Sequence, residues 1–228
     1  MSAENVSRET MAPRPPSVDW IALGASNRLT VSPDQAARLD ALASWLAERA
    51  LPLGLTNYRT PEDISRHALA PTFALFSLAG PALRGPLLDL GAGSGALGLT
   101  VAVLCPDLPV TLADRRSRAA TFMSLTRARL HLDNVEVRQV SAQELAKDAA
   151  GAFQVVCFRA LGHAETALRW AAPLLAPGGC VAAWHQAADS GFLHPSTGWL
   201  RRATVTTVWP GLSVSLLENV SRETFHRA

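Results

Sequence analysis

The stretch Leu87-Leu88-Asp89-Leu90-Gly91-Ala92-Gly93-Ser94-Gly95-Ala96-Leu97-Gly98 constrains the fold more than any other part of the chain. A short apolar run ends in closely spaced glycines, and an apolar segment of helical length follows. That is the junction at which an open α/β sheet brings a ligand against bare backbone, because side chains there would obstruct it. The spacing alone is ambiguous, since Gly93-x-Gly95-x-x-Gly98 and Gly91-x-Gly93-x-x-Ala96 both satisfy loose dinucleotide patterns. Asp114 ends the next apolar run, at the distance where an acidic side chain accepts hydrogen bonds from ribose hydroxyls.

Asp89 tilts the choice of ligand. A dinucleotide seats a pyrophosphate on the helix N-terminus, whereas S-adenosyl-L-methionine has none and carries a sulfonium with which a nearby carboxylate is compatible. The alternative to any ligand is a structural turn, against which the strand, the helix and Asp114 stand in register.

The glycine loop sits early in an alternating pattern. Strands are expected over 87–90, 110–113, 135–140, 155–158 and 181–184, and helices over 96–104, 118–130, 143–146 and 164–175. Pro177-Gly178-Gly179 reads as a turn before the fifth strand. After a polar loop over 187–198, two further strands, 203–208 and 212–217, join across Trp209-Pro210-Gly211. Five parallel units closed by an antiparallel hairpin give an α/β fold of the class I S-adenosylmethionine-dependent methyltransferase type, Rossmann-like and mostly parallel. A dinucleotide-binding domain continues with a parallel sixth strand instead.

Ahead of this domain the pattern is helical. Ser32 is an expected N-cap with Pro33 at the first helical position, and Leu39, Leu42, Trp45 and Leu46 follow at helical spacing. A second helix starts after Thr60, with Pro61, Glu62 and Asp63 in its first turn, and Pro71 is expected to interrupt it. The organisation expected is a flexible tail over 1–17, a helical segment over 18–84, the cofactor-binding domain over 85–218 and a tail over 219–228.

Composition excludes several classes. With 48% hydrophobic and 18% charged residues, the chain is neither disordered throughout nor fibrous. No apolar stretch approaches the roughly 18 residues of a membrane helix, and the beginning lacks a signal-peptide pattern, so a cytoplasmic monomer with no membrane contact is expected. Cys105, Cys157 and Cys180 show no paired spacing and read as core thiols, with no metal site expected. Lys147 is the sole lysine. The arginine bias fits either a GC-rich gene or phosphate contacts, and a net charge of +2 favours the former.

With these residues in hand, the chain resembles the RsmG (GidB) family, bacterial enzymes that methylate N7 of a guanine in 16S ribosomal RNA with S-adenosylmethionine. The resemblance runs from about Leu55 to Trp184. It rests on Gly54-Leu55-Thr56, on Glu62-Asp63-Ile64-Ser65-Arg66-His67, on the glycine loop and on Asp114-x-x-x-Arg118-x-x-x-Phe122-Met123. Leu132-Asp133-Asn134-Val135-Glu136-Val137 and Phe158-Arg159-Ala160 complete it. The resemblance implies cofactor contacts at Gly91, Ala96, Ala142, Gln143 and Arg159, beside Asp89, Gly93, Gly95 and Asp114 from the loop argument. It implies 16S rRNA or a small-subunit assembly intermediate as partner. The chain departs from the family pattern at Ala96-Leu97, at Ser141-Ala142-Gln143, at Ala70-Pro71 where Asp-Ser is usual, and at His185 where lysine is usual.

Arg159 at a strand's carboxyl end is a candidate site residue, with a structural salt bridge as the alternative. His67 lines the site or packs in a helix; His185 carries the same alternatives. Arg115, Arg116, Arg118, Arg127 and Arg129 bind phosphate or form a solvated face. Trp184 stacks a base or fills the core. Methylation at N7 needs no general base, so Arg159 and His67 are the expected catalytic pair as site-lining groups rather than as acid and base. Two other functions fit the departures: a degenerate cofactor-binding module that binds RNA or ribosomes without turnover, and a small-molecule methyltransferase.

One feature has no account in protein physics. Glu4-Asn5-Val6-Ser7-Arg8-Glu9-Thr10 recurs unchanged as Glu218-Asn219-Val220-Ser221-Arg222-Glu223-Thr224, and nothing between them repeats. The codons AAT GTT TCA CGT GAA ACA would contain TGTTTCACGTGAAACA, which resembles the centromere-like site of bacterial chromosome partition. The expectation is that both peptides are by-products of DNA sites within the coding ends.

Overall fold

The computed structural model describes residues 18–80, 83–186, 199–207 and 211–219. The expected N-terminal tail, the expected C-terminal tail from 220 on, the loop over 187–198 and 208–210 lie outside them, as does most of the second repeat copy. Its Glu218 and Asn219 end the last strand.

Seven strands form one sheet: β1 (Leu87–Leu90), β2 (Val110–Ala113), β3 (Val135–Arg138), β4 (Phe153–Arg159), β5 (Leu175–Gln186), β6 (Trp199–Thr206) and β7 (Leu212–Asn219). Their order is β3-β2-β1-β4-β5-β7-β6. The first five are parallel, and β7 runs antiparallel to both β5 and β6, as the hairpin pattern predicted. The winding reverses between β1 and β4, and that switch point opens a crevice outside the carboxyl ends of the strands.

Alternation along the strands supplies two cores. Leu87, Val110, Leu112, Val155 and Cys157 pack on one face with α5 (Ala96–Leu104), α6 (Ser117–Arg129) and the N-terminal helices. Leu88, Leu90, Val156, Phe158 and Val181 pack on the other with α7 (Ala142–Asp148) and α8 (Ala164–Ala171). α5 is buried at every position, and its terminal carbonyls at Val103 and Leu104 accept from Gln35 Nε2 at 3.2 and 2.9 Å. Helix ends buried in this way need such donors. Asn134 does the same work for the following loop, donating to the carbonyls of Ala102, Cys105 and Leu108.

The N-terminal segment holds one helix more than the sequence pattern predicted. α1 (Trp20–Ser26) is too short for periodicity to show, and tertiary contacts hold it. Trp20 stacks on Phe73 at 5.7 Å and donates to Asp40 Oδ1 at 2.7 Å. α2 (Pro33–Arg49) begins as expected, with a reciprocal capping box between Ser32 and Gln35. Leu39, Leu42 and Leu46 on its inner face are fully buried.

Pro71 interrupts the second α-helix as expected, although the chain stays helical in path across it. α3 (Pro61–Ile64), capped by Thr60, passes into a π turn over Ser65–Leu69, a 3-10 turn over Ala70–Phe73 and then α4 (Ala74–Ala79). Proline has no N–H to give and crowds the carbonyl four residues back, so the backbone widens and then tightens around it. Ala70 accordingly donates to Ser65 O, five residues back.

Smaller differences have local causes. Pro173 turns the end of the helix expected over 164–175 into a 3-10 turn over Ala172–Leu174. The turn expected at Pro177-Gly178-Gly179 is a bulge inside β5: Leu175 pairs with Phe153 and Cys180 with Val155, and Gly178 has φ 73°. β3 stops at Arg138, two residues short of the expected 140, and β6 starts at Trp199 rather than 203.

Candidate functional site

The crevice at the switch point is built from the ends of β1, β2 and β4. After β1 the backbone takes positive φ at Gly91, Gly93 and Gly95 (71°, 62° and 76°), which only glycine adopts without strain. The directions of their missing side chains separate their roles. A Cβ at Gly91 would collide with Leu161, one at Gly95 would press on Leu99 at 2.8 Å and Met123 at 3.2 Å, and one at Gly98 would collide with Leu112. Gly93 differs: the nearest atom to its Cβ position is Arg116 Nη2 at 3.5 Å, an ordinary contact. Of the glycines expected to touch a cofactor, Gly93 is therefore the one not packed against the core, with the Arg116 guanidinium in ordinary contact, while Gly91 and Gly95 are close-packing positions. Ala96, the first residue of α5, is 4% exposed and also faces the core.

Two carboxylates hold the loop. Asp89 is buried, and its Oδ2 accepts from Gly98 N at 2.9 Å. Burial pushes its carboxyl up to about 6, against the opposing pull of that bond and of the Arg159 guanidinium. Asp114 at the end of β2 accepts at Oδ2 from Gly93 N (2.9 Å) and at Oδ1 from Arg116 N (2.9 Å). The Arg116 side chain adds Nε to Oδ1 at 3.0 Å and Nη2 to Oδ2 at 2.8 Å. Although burial raises the Asp114 carboxyl, these bonds outweigh it and hold the group below its ordinary value. Each Asp114 oxygen already accepts two bonds, so a ribose hydroxyl reaches it only when Arg116 lets go.

Arg159 closes the other side. It ends β4, and Ala160 after it has φ 55°, a sparsely populated backbone for a residue with a Cβ. The next residue, Leu161, lies against Gly91 and so links the β4 loop to the β1 loop. Arg159 Nη1 donates to the carbonyls of His67 and Ala68, each at 3.2 Å. Among the described residues no carboxylate lies within 4.0 Å of the Arg159 guanidinium, so a structural salt bridge is not its role.

The same contacts bring His67 to the site's edge, across 92 residues of chain from Arg159. Its ring lies 5.3 Å from that of Tyr58, and its Nε2 is 4.0 Å from Asp63 Oδ1. Burial lowers the imidazole pKa below its ordinary value despite Asp63, leaving a neutral ring at pH 7 and above. Ala142 and Gln143 open α7, the first buried and the second exposed. Ser141 is committed to a capping box with Glu144.

Other candidates are structural. Trp184 is buried, with Nε1 donating to Pro71 O at 3.1 Å, and His185 bonds through Nε2 to Ser215 Oγ at 2.8 Å. Cys157 and Cys180 are buried thiols whose pKa burial raises. Among the described residues no group of three or more His, Cys, Asp or Glu side chains could hold a metal ion, and no helix is long and apolar enough to cross a membrane. The basic run over 115–129 does not by itself single out Arg116, whose side chain binds Asp114, nor does the interruption at Pro71 reveal that its carbonyl accepts from Trp184. Spacing from Asp114 was the available signal for the first.

Comparison with known proteins adds the family. Residues 35–190 match the GidB family model, described as rRNA small subunit methyltransferase G. A protein of that name from Nocardioides is 36% identical over 183 residues, covering 79% of this chain and 66% of its own length. One from Ralstonia nicotianae is 30% identical over 200 residues, covering 83% and 89%. The chain spans about two thirds of the Nocardioides protein and 60% of one from Sorangium cellulosum. A crystal structure of a SAM-dependent methyltransferase from Aquifex aeolicus superposes with a TM-score of 0.56 at 14% identity, covering 75% of this chain and 97% of that one. TrmN from Thermus thermophilus gives 0.53 at 23% identity, covering 70% and 52%. The fold is therefore that of the class I methyltransferases, and the chain belongs to the rRNA small subunit methyltransferase G (GidB) family.

Proposed function

We propose that this chain is an S-adenosylmethionine-dependent methyltransferase that acts on N7 of a guanine in 16S ribosomal RNA, bound alone or within an assembling small subunit. The observation that carries the reading is the backbone at Gly93, bonded to Asp114 and in side-chain contact only with the Arg116 guanidinium, at the switch point of a sheet belonging to this family. The cradle fits the cofactor: only the half-exposed Arg116 guanidinium lies against Gly93, and when it moves it frees both that backbone and two acceptor positions on Asp114. Gly91 and Gly95 keep the loop in shape, Asp89 pins it to α5, and Ala142 and Gln143 meet the adenine. Bound there, the cofactor supplies a methyl group activated by a sulfonium.

The chain's residues then have to align the guanine rather than deprotonate it. N7 already presents a lone pair at neutral pH, and alignment in a water-poor crevice accounts for most of the barrier lowering. Arg159, held by one nitrogen, keeps its remaining N–H groups for acceptors such as the guanine O6 beside N7. His67, neutral, lines the wall without donating charge.

Nucleoside mapping of 16S rRNA from a strain lacking the gene tests this: loss of one 7-methylguanosine supports it, and an unchanged RNA refutes it. The saturation of Asp114 by Arg116 favours a second reading, an RNA-binding module without turnover. That reading requires that 16S rRNA bind in calorimetry while no methyl group passes from S-adenosylmethionine to the RNA.

A further inference from the structure

We infer that Pro71 is a positioning residue for Arg159. This role rests on the proposed site role of Arg159 and originates in a bond that cannot form. In an uninterrupted α-helix the N–H of residue 71 would donate to the carbonyl of His67. Proline has no N–H, so that carbonyl is released at a point where the neighbouring turn is already widened, with Ala70 donating to Ser65 O instead. Arg159 Nη1 takes up the released His67 carbonyl and the adjacent one of Ala68, each at 3.2 Å.

The arrangement is double. Trp184, on the neighbouring strand, donates its Nε1 to the carbonyl of Pro71 itself at 3.1 Å. Arg159 and Trp184 are register partners of β4 and β5, so two adjacent strands grip one irregular turn through consecutive parts of it. The acceptors are neutral main-chain carbonyls, and among the described residues Nη1 alone of the Arg159 nitrogens is hydrogen-bonded. A carboxylate partner would occupy the guanidinium fork from one edge and neutralise it. Carbonyls on a single nitrogen fix the group and leave Nε and Nη2, with the full positive charge, for a ligand. Pi turns inside helices recur at functional sites, and here the turn has a stated use.

The test restores the missing N–H. Pro71→Ala and Pro71→Ser both return a donor that competes for the His67 carbonyl, and neither removes a side chain that bonds another group. Two readouts separate placement from turnover. In 15N-arginine-labelled protein, the Nη signals of Arg159, assigned with Arg159→Lys, are expected to be resolved in wild type through slowed rotation and to collapse in both Pro71 variants. Methyl transfer to 16S rRNA is expected to fall about tenfold in kcat, with the Kd for S-adenosylhomocysteine within twofold of wild type. In an Arg159→Ala background the same substitutions should cost nothing further, because they act through Arg159. Unchanged Nη signals in the Pro71 variants, an equal loss of activity in both backgrounds, or variants that do not fold would each overturn the inference. If wild type transfers no methyl group while the signals still collapse, the functional reading fails and the positioning role stands.

Discussion

Arg159 and Trp184 sit opposite each other on β4 and β5, and both reach out of the sheet to main-chain carbonyls between His67 and Pro71. The carboxyl edge of the sheet is thereby tied to the N-terminal helical segment by side-chain N–H groups, with no ion pair among the described residues. Removing Arg159 breaks one tie and leaves the other. Arg159→Ala should lower kcat/KM for 16S rRNA about 100-fold, the scale of a lost charge-assisted hydrogen bond, while costing roughly 1 kcal/mol of stability. Steady-state kinetics beside urea denaturation checks this. A variant that unfolds would make Arg159 structural.

Gly93→Val should abolish binding of S-adenosylmethionine, since its side chain points away from the core into the proposed ligand position beside Arg116 and a branched residue at φ 62° is strained. Calorimetry with the product S-adenosylhomocysteine reads the loss. Equal affinity in wild type and variant would show that the ligand does not lie there.

Arg116→Ala opens two acceptor positions on Asp114 that the guanidinium now occupies. The Arg116 side chain is 43% exposed, so solvent reduces the contact to about 1 kcal/mol. Binding of S-adenosylhomocysteine should tighten about fivefold. Weaker binding would mean that Arg116 itself contacts the ligand.

Asp89 predicts a pH dependence of stability. Its carboxyl titrates near 3.8 when unfolded and near 6 when folded, so between these values the native state holds the extra proton. The native state gains fully from this below pH 4 and loses the gain as pH rises through 6, by about 3 kcal/mol. Asp89→Asn keeps an acceptor for Gly98 N and does not titrate. Urea denaturation from pH 4 to 7 should show the variant gaining on wild type by that amount, and a constant difference would contradict the shift.

Much of the molecule was legible before any coordinates. The glycine junction, the five parallel units, the closing hairpin, the Ser32 cap and the ends of β1 and β2 follow from local causes: strand alternation, proline and glycine geometry, and capping chemistry act within a few residues. The crevice was legible as a place, because Gly91, Asp114 and Arg159 each end a strand. What each group does there was decided by contacts between distant segments. Leu161 of the β4 loop lies against Gly91, and Trp184 and Arg159 are committed to a turn about 90 or more residues earlier. Even around Pro71, a helix breaker by its own chemistry, the chain runs on through π and 3-10 turns into α4, because Trp20 stacked on Phe73 and the fully buried Leu69 and Leu75 hold both sides of it in place. Local bonding rules operate over a turn or two of chain, whereas packing and side-chain hydrogen bonds to released carbonyls exist only once the sheet and the N-terminal segment have met.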